Sequence, residues 1–170
     1  MLNLISPLSL RSADAGDQTF LDALYRDSRA DLSETFLAPA ALHQMLAMQQ
    51  MSQTIGIKTT YPSAQNWLLL WDTDTVGRLI LDIRDSDIRL IDIAVMSGWR
   101  GRGIATEVLR ALQHYALKTD RSIGLAVLCN NFNARRVYHR AGFILRSTDT
   151  LFDQMDWHPA FVQAQSDKSA

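Results

Sequence analysis

Arg100, Gly101, Arg102 and Gly103 stand directly before an amphipathic run, a placement that suits phosphate chemistry. Residues 99–117 read WRGRGIATEVLRALQHYAL, with Ile104, Val108, Ala111, Leu112 and Tyr115 on one helical face. The first turn of a helix leaves about four backbone N–H groups unpaired. They point at one spot, backed by the positive end of the helix dipole. A pyrophosphate supplies the missing acceptors. Gly101 and Gly103 remove side chains that would hold the backbone away from it. Arg100 and Arg102 add charge and fork-shaped donors. A plain glycine-rich turn with solvated arginines fits the same residues.

Two familiar phosphate loops fail here. The GxxxxGK[ST] pattern is absent. Gly101, Gly103 and Thr106 give only two of the three small positions of a dinucleotide fingerprint, and Asn130 and Asn131 stand where that fingerprint needs an acid. Other reactive side chains are scattered. Cys129, the single cysteine, ends an apolar run and reads as a packed thiol or an acyl acceptor. His43 and His158 share no metal-ligand spacing with another His or acid, so no metal is implied. His114 and His139 read as surface residues.

Several elements must position this loop. Residues 17–30 place Phe20, Leu21, Leu24 and Tyr25 on one helical face, with caps at Asp14 and Asp17. Residues 39–53 read as a second helix with Pro39 in its first turn, and its Met45, Met48 and Met51 suit core or an adaptable pocket wall. Three β-rich runs follow, WLLLWD, VGRLILDIR and IRLIDIAVM, separated by DTDT and DSD turns. After the loop and its helix come IGLAVL (123–128), a short helix at 134–141 and two strands around FILRST and LFDQMDW. A strand crossing over through a helix to another strand implies one parallel pair. The expected fold is α/β of mixed kind. It has a mostly antiparallel, twisted sheet of about six to seven strands, splayed at a parallel pair and flanked by about four helices.

The bulk numbers agree with one domain over 1–159 and a frayed tail over 160–170. The chain has 170 residues, is 47% hydrophobic and 21% charged, and carries net charge −1. That balance leaves no sequence-wide footprint for nucleic acid or an acidic membrane. One thiol cannot close an internal disulfide, which suits a reducing compartment. The stretch MLNLISPLSLRSAD lacks a basic leader, and no apolar run approaches the roughly 18 residues of a membrane helix. The expectation is a soluble, cytoplasmic protein.

A third loop pattern does fit. IDIAVMSGW followed by Arg100, Gly101, Arg102, Gly103, Ile104 and Ala105 resembles the acyl-CoA-binding segment of the GNAT superfamily of N-acetyltransferases. The stretch NNFNARRVYHRAGF resembles that superfamily's second signature, with Asn131, Ala134, Tyr138, Gly142 and Phe143 in register. The element order and the closing strand agree as well, so the likeness spans roughly residues 75–157.

The resemblance implies transfer of an acetyl group from acetyl-CoA to a primary amine, by direct transfer in a ternary complex. It implies that Ala94, Val95 and Met96 offer backbone groups to the pantetheine arm, in a gap between the splayed strands. Arg100, Gly101, Arg102, Gly103, Ile104, Ala105 and Thr106 would hold the pyrophosphate, with Asn131 and Asn133 at the mouth of the gap. It gives Tyr138 as the proton donor to the leaving thiolate; packing of its ring against the sheet is the other role open to it. Many members carry a Glu base that this chain lacks, since IGLAVL holds no acid. Asp92 is the nearest candidate. It interrupts an apolar strand and shares a face with Ala94, and a structural Asp or a water chain are the alternatives. The acceptor side falls at about 17–66. Asp31 and Glu34 are isolated there, and Phe36, Tyr61, Trp67 and Trp71 suit an apolar wall or plain core. A homodimer is a further family expectation. A CoA-binding module without catalysis is the rival reading.

Overall fold

The computed structural model describes residues 2–29 and 38–160. Asp31, Glu34, Phe36 and the tail beyond Ala160 lie outside the described residues. The element order is β1 (Leu8–Ser12), α1 (Gln18–Ser28), α2 (Pro39–Thr60), β2 (Gln65–Trp71), β3 (Asp74–Ile83), β4 (Asp87–Val95), α3 (Ile104–Thr119), β5 (Ser122–Leu128), α4 (Phe132–Arg140), β6 (Ile144–Thr148) and β7 (Phe152–Trp157). The strands form one seven-stranded sheet in the order β1-β2-β3-β4-β5-β7-β6. Its β4–β5 pair is parallel, while β1–β2, β5–β7 and β6–β7 are antiparallel. The expected mixed sheet with four helices is therefore present.

The chain divides into two compact units, with sequence boundaries that fall within β3 and β4. One comprises Ser6–Ile80 and Asp92–Ile104. Its entry to α1 is set by local polar chemistry. Asp14 accepts from the Gly16 N–H at 2.7 Å, and Asp17 accepts from the Asp14 N–H at 2.8 Å. These bonds satisfy donors that the start of a helix leaves open. Leu21, Leu24 and Tyr25 then bury one face of α1, as their spacing requires. Leu68, Leu69, Val76 and Leu79 are wholly buried on β2 and β3. Burial of each such side chain stabilises by roughly 1.5–3 kcal/mol.

Two features of this unit depart from the sequence reading. The strand β1 was not expected. Its Leu8 and Leu10 alternate with polar residues, and it pairs with β2 from Leu8↔Trp71 to Ser12↔Trp67. The helix α2 runs on past 53 to Thr60, through Gly56, and stops at Tyr61 before Pro62. Proline disfavours helix in the residue before it, which places the stop.

The other unit comprises Met1–Ile5, Leu81–Ile91 and Ala105–Ala170. Val108, Leu109, Ala111, Leu112 and Ala116 line the buried face of α3. Ile123, Leu125 and Val127 alternate inward on β5, and Asp153, Met155 and Trp157 do so on β7. The parallel ladder joins Asp87–Leu90 to Ser122–Leu125, from Asp87↔Ser122 to Leu90↔Leu125. Among the described residues, no helix is long and apolar enough to cross a membrane.

Candidate active site

The loop after β4 takes its shape from two glycines. Gly101 has φ +77° and Gly103 φ +79°, conformations that L side chains rarely adopt. Nothing lies within 4 Å of where a Cβ would stand at either. The backbone of Arg100–Gly103 is therefore open to a ligand at the start of α3, while Ile104 turns inward and is buried. Uncovered N–H groups at the start of a helix are the kind of donors that an anion uses.

The two arginines of the loop are placed differently. The Arg102 guanidinium lies 4.6 Å from the centroid of the Trp99 ring, and Trp99 packs on Trp71 at 5.9 Å. Among the described residues Arg102 has no carboxylate partner, so its charge is available. Arg100 is committed to protein groups. Its Nη2 lies 2.9 Å from Asp27 Oδ2, and its Nε donates to the Val95 carbonyl at 2.9 Å.

The end of β4 carries Ala94, Val95 and Met96, all of intermediate exposure. The Met96 N–H donates to Val76 O at 2.9 Å, so it is spent on the neighbouring strand. Ala94 O faces Gly77, where a Cβ would stand only 2.3 Å from it. Gly77 is thus required by close approach, not by its dihedral angles. Asp92, two residues earlier, pairs with Arg78. Arg78 Nε and Nη2 both donate to Asp92 Oδ2, at 2.9 and 2.6 Å.

In the other unit, Tyr138 is buried on α4, at 9% exposure. Its ring meets Phe143 edge-on, with centroids 5.8 Å apart. The helix begins two residues earlier than its pattern suggests, because Asn131 caps it. The Asn131 side chain accepts from the Ala134 N–H at 3.1 Å. Asn133 is exposed in the first turn, as are His139 on this helix and His114 on α3. Ala105 and Thr106 open α3 behind the loop, half-buried and exposed respectively.

An ion pair, buried on its Asp153 side, anchors α4. Arg135 Nε lies 2.7 Å from Asp153 Oδ2, and Thr148 Oγ1 donates to Asp153 Oδ1 at 2.8 Å. Arg135 also donates to the Cys129 carbonyl at 3.0 Å. Cys129 Sγ lies 3.7 Å from Asp153 Oδ1. Burial pushes the Cys129 thiol up, and the neighbouring Asp153 carboxylate reinforces the shift. The thiol is thereby suppressed as a nucleophile.

Sequence reasoning passed over Asp27, Gly77, Arg78, Trp99 and the Arg135–Asp153 pair. Some left a trace. Gly77 is a glycine inside a strand pattern, a mark of close backbone approach. Asp153 occupies an inward position of an alternating strand. Asp27 sits in the last turn of a helix, where the dipole disfavours an acid.

The strand order, the single parallel pair and the glycine loop opening the helix after β4 define an acyl-CoA N-acyltransferase type of fold. The chain belongs to the acetyltransferase (GNAT) family, whose model matches residues 21–143. It is 32% identical over 94 residues to the L-amino acid N-acetyltransferase AaaT of Escherichia coli K12. That match covers 51% of this chain, which spans only 57% of the relative's length. Among solved structures, the chain resembles PaiA N-acetyltransferase from Thermoplasma acidophilum in complex with coenzyme A. The TM-score is 0.67 at 15% identity, covering 89% of this chain and 98% of that one. It also resembles spermidine N-acetyltransferase from Vibrio cholerae in complex with CoA and spermine. There the TM-score is 0.62 at 18% identity, covering 92% and 98% of the two chains.

Proposed function

We propose that the protein transfers an acetyl group from acetyl-CoA to a primary amine by direct attack in a ternary complex. The observation that carries this reading is the loop Arg100–Gly103, whose two positive-φ glycines leave the start of α3 open and whose Arg102 charge is held ready on Trp99. Family membership supports it.

In this reading the backbone N–H groups of Gly101, Gly103, Ile104, Ala105 and Thr106 take the pyrophosphate, with Arg102 as its counter-charge. The Val95 N–H serves the pantetheine amide, since the Val95 carbonyl is already used by Arg100. Asn131 keeps its amide N–H donors for the ligand, because its oxygen caps α4, and Asn133 stands beside it in sequence. Tyr138 gives its proton to the departing thiolate; a phenol with a reference value near 10 is protonated at neutral pH. Asp92 receives the ammonium proton through water at Oδ1, while Arg78 fixes Oδ2.

The name of the Escherichia coli relative favours an α-amino acid as the acceptor class. The name of the Vibrio cholerae structure makes a polyamine the natural comparison. The test is a thermal melt with and without acetyl-CoA, followed by an amine panel. Ligand at about 100 times its Kd adds roughly 2.7 kcal/mol, a rise of roughly 5–10 °C for a domain of this size. No rise at millimolar acetyl-CoA overturns the reading. Binding without turnover on any amine reduces the protein to a CoA-binding module.

A further inference from the structure

We propose that Asp27 is a positioning residue for the acetyl-CoA loop, acting through Ser97 and Arg100. The proposal rests on the cofactor reading above. Asp27 lies in the last turn of α1, where the negative end of the helix dipole disfavours a carboxylate. Three donors converge on it. The Ser97 N–H donates to Oδ2 at 2.8 Å, Ser97 Oγ to Oδ1 at 2.5 Å, and Arg100 Nη2 to Oδ2 at 2.9 Å. Its side chain is 18% exposed, so water competes weakly for those bonds.

Arg100 carries the link further, since its Nε holds the Val95 carbonyl. One carboxylate from α1 therefore fixes both the end of β4 and the turn that leaves it. Without this strut, Ser97–Gly103 is held by short-range bonds such as Trp99 N–H to Met96 O. Its two positive-φ glycines add backbone freedom. A ligand would then have to order the loop on binding, and that cost falls on affinity rather than on turnover.

Amide hydrogen exchange on ligand-free protein is the first arm of the test. Asp27→Ala is expected to speed exchange at Ser97, Trp99 and Arg100, the loop amides that are hydrogen-bonded without ligand, by about tenfold or more, with the rest of the chain unchanged. The second arm is acetyl-CoA binding and turnover. The Kd should rise about tenfold, the scale of one charge-assisted hydrogen bond, while kcat at saturating acetyl-CoA stays within about twofold. Asp27→Asn keeps an acceptor for Ser97 and should fall between. The double variant Asp27→Ala with Arg100→Ala should lose less affinity than the two single losses summed, because both act in one chain of contacts. Unchanged loop exchange overturns the strut. Faster exchange with unchanged affinity overturns its role in positioning. Wild-type protein that fails to bind acetyl-CoA overturns the cofactor reading instead, and exchange without ligand still decides the strut.

Discussion

The Asp153 carboxylate, on a side chain 3% exposed, faces Arg135 Nε at 2.7 Å and ties β7 to the helix that carries Tyr138. Removing one partner of such a pair leaves a charge stranded. Asp153→Ala is therefore expected to cost about 2–3 kcal/mol, less than a fully buried pair because Arg135 keeps some solvent. That corresponds to a fall in Tm of roughly 5–10 °C. Asp153→Asn preserves shape and should cost less. Thermal melts of the two variants check the order.

Cys129 should be slow to react. Its thiol is pushed up by burial first and by Asp153 second. Labelling with a thiol reagent at pH 8 is expected to run at least about tenfold slower than in denatured protein. Asp153→Asn should accelerate it. Labelling at the denatured rate would contradict the shift.

Gly77→Ala should damage the end of β4 with no contact to any ligand. The new Cβ would stand 2.3 Å from Ala94 O and 3.3 Å from Val95 Cα, both backbone atoms that cannot swing away. The expected loss is about 1–3 kcal/mol of stability, with weakened acetyl-CoA binding as well. Gly103→Glu should lose both as well, with the larger loss in binding. It loses about 1 kcal/mol of stability to its φ of +79° but abolishes acetyl-CoA binding through bulk and charge. Melts and titration calorimetry separate the two.

Tyr138→Phe keeps the edge-on contact with Phe143 and removes only the hydroxyl. Turnover should fall by about 100-fold or more if the phenol is the proton donor, with acetyl-CoA affinity within about twofold of wild type. An unchanged rate removes Tyr138 from that role.

Acid stability should depend on Asp17. The Arg11 guanidinium, then the Asp14 N–H, hold its carboxyl at about 2, below the ordinary 3.8. A depressed folded value means that its stabilisation is complete above 3.8 and is lost as pH falls through about 2. Asp17→Asn should flatten the loss of stability across that window. Denaturant melts between pH 2 and pH 4 give the slope directly.

Much of the architecture was legible because its periodicities are strong. The face of α3 from Ile104 to Leu112 and the alternation of Ile123, Leu125 and Val127 are local patterns, and burial follows them. The glycine loop was legible because Gly101 and Gly103 do need left-handed backbone. The strand β1 is only five residues long and gains its stability from β2, so its own pattern is weak. The C-terminal end of α2 was hidden by Gly56 and by β-branched residues that helices tolerate poorly. Arg100 reads from sequence as a phosphate ligand, yet its guanidinium is engaged by Asp27, 73 residues away. No spacing rule reaches that far. The same holds for Arg78 and Asp92, which meet across neighbouring strands.

The Trp71–Trp99 pair makes the loop its own optical reporter. Two indoles with centroids 5.9 Å apart and planes inclined by 43° couple as an exciton pair, and an arginine charge sits over one of them. Any anion that draws Arg102 off Trp99 changes the field on that ring. Near-ultraviolet circular dichroism and tryptophan emission would then register occupancy of the loop without a label.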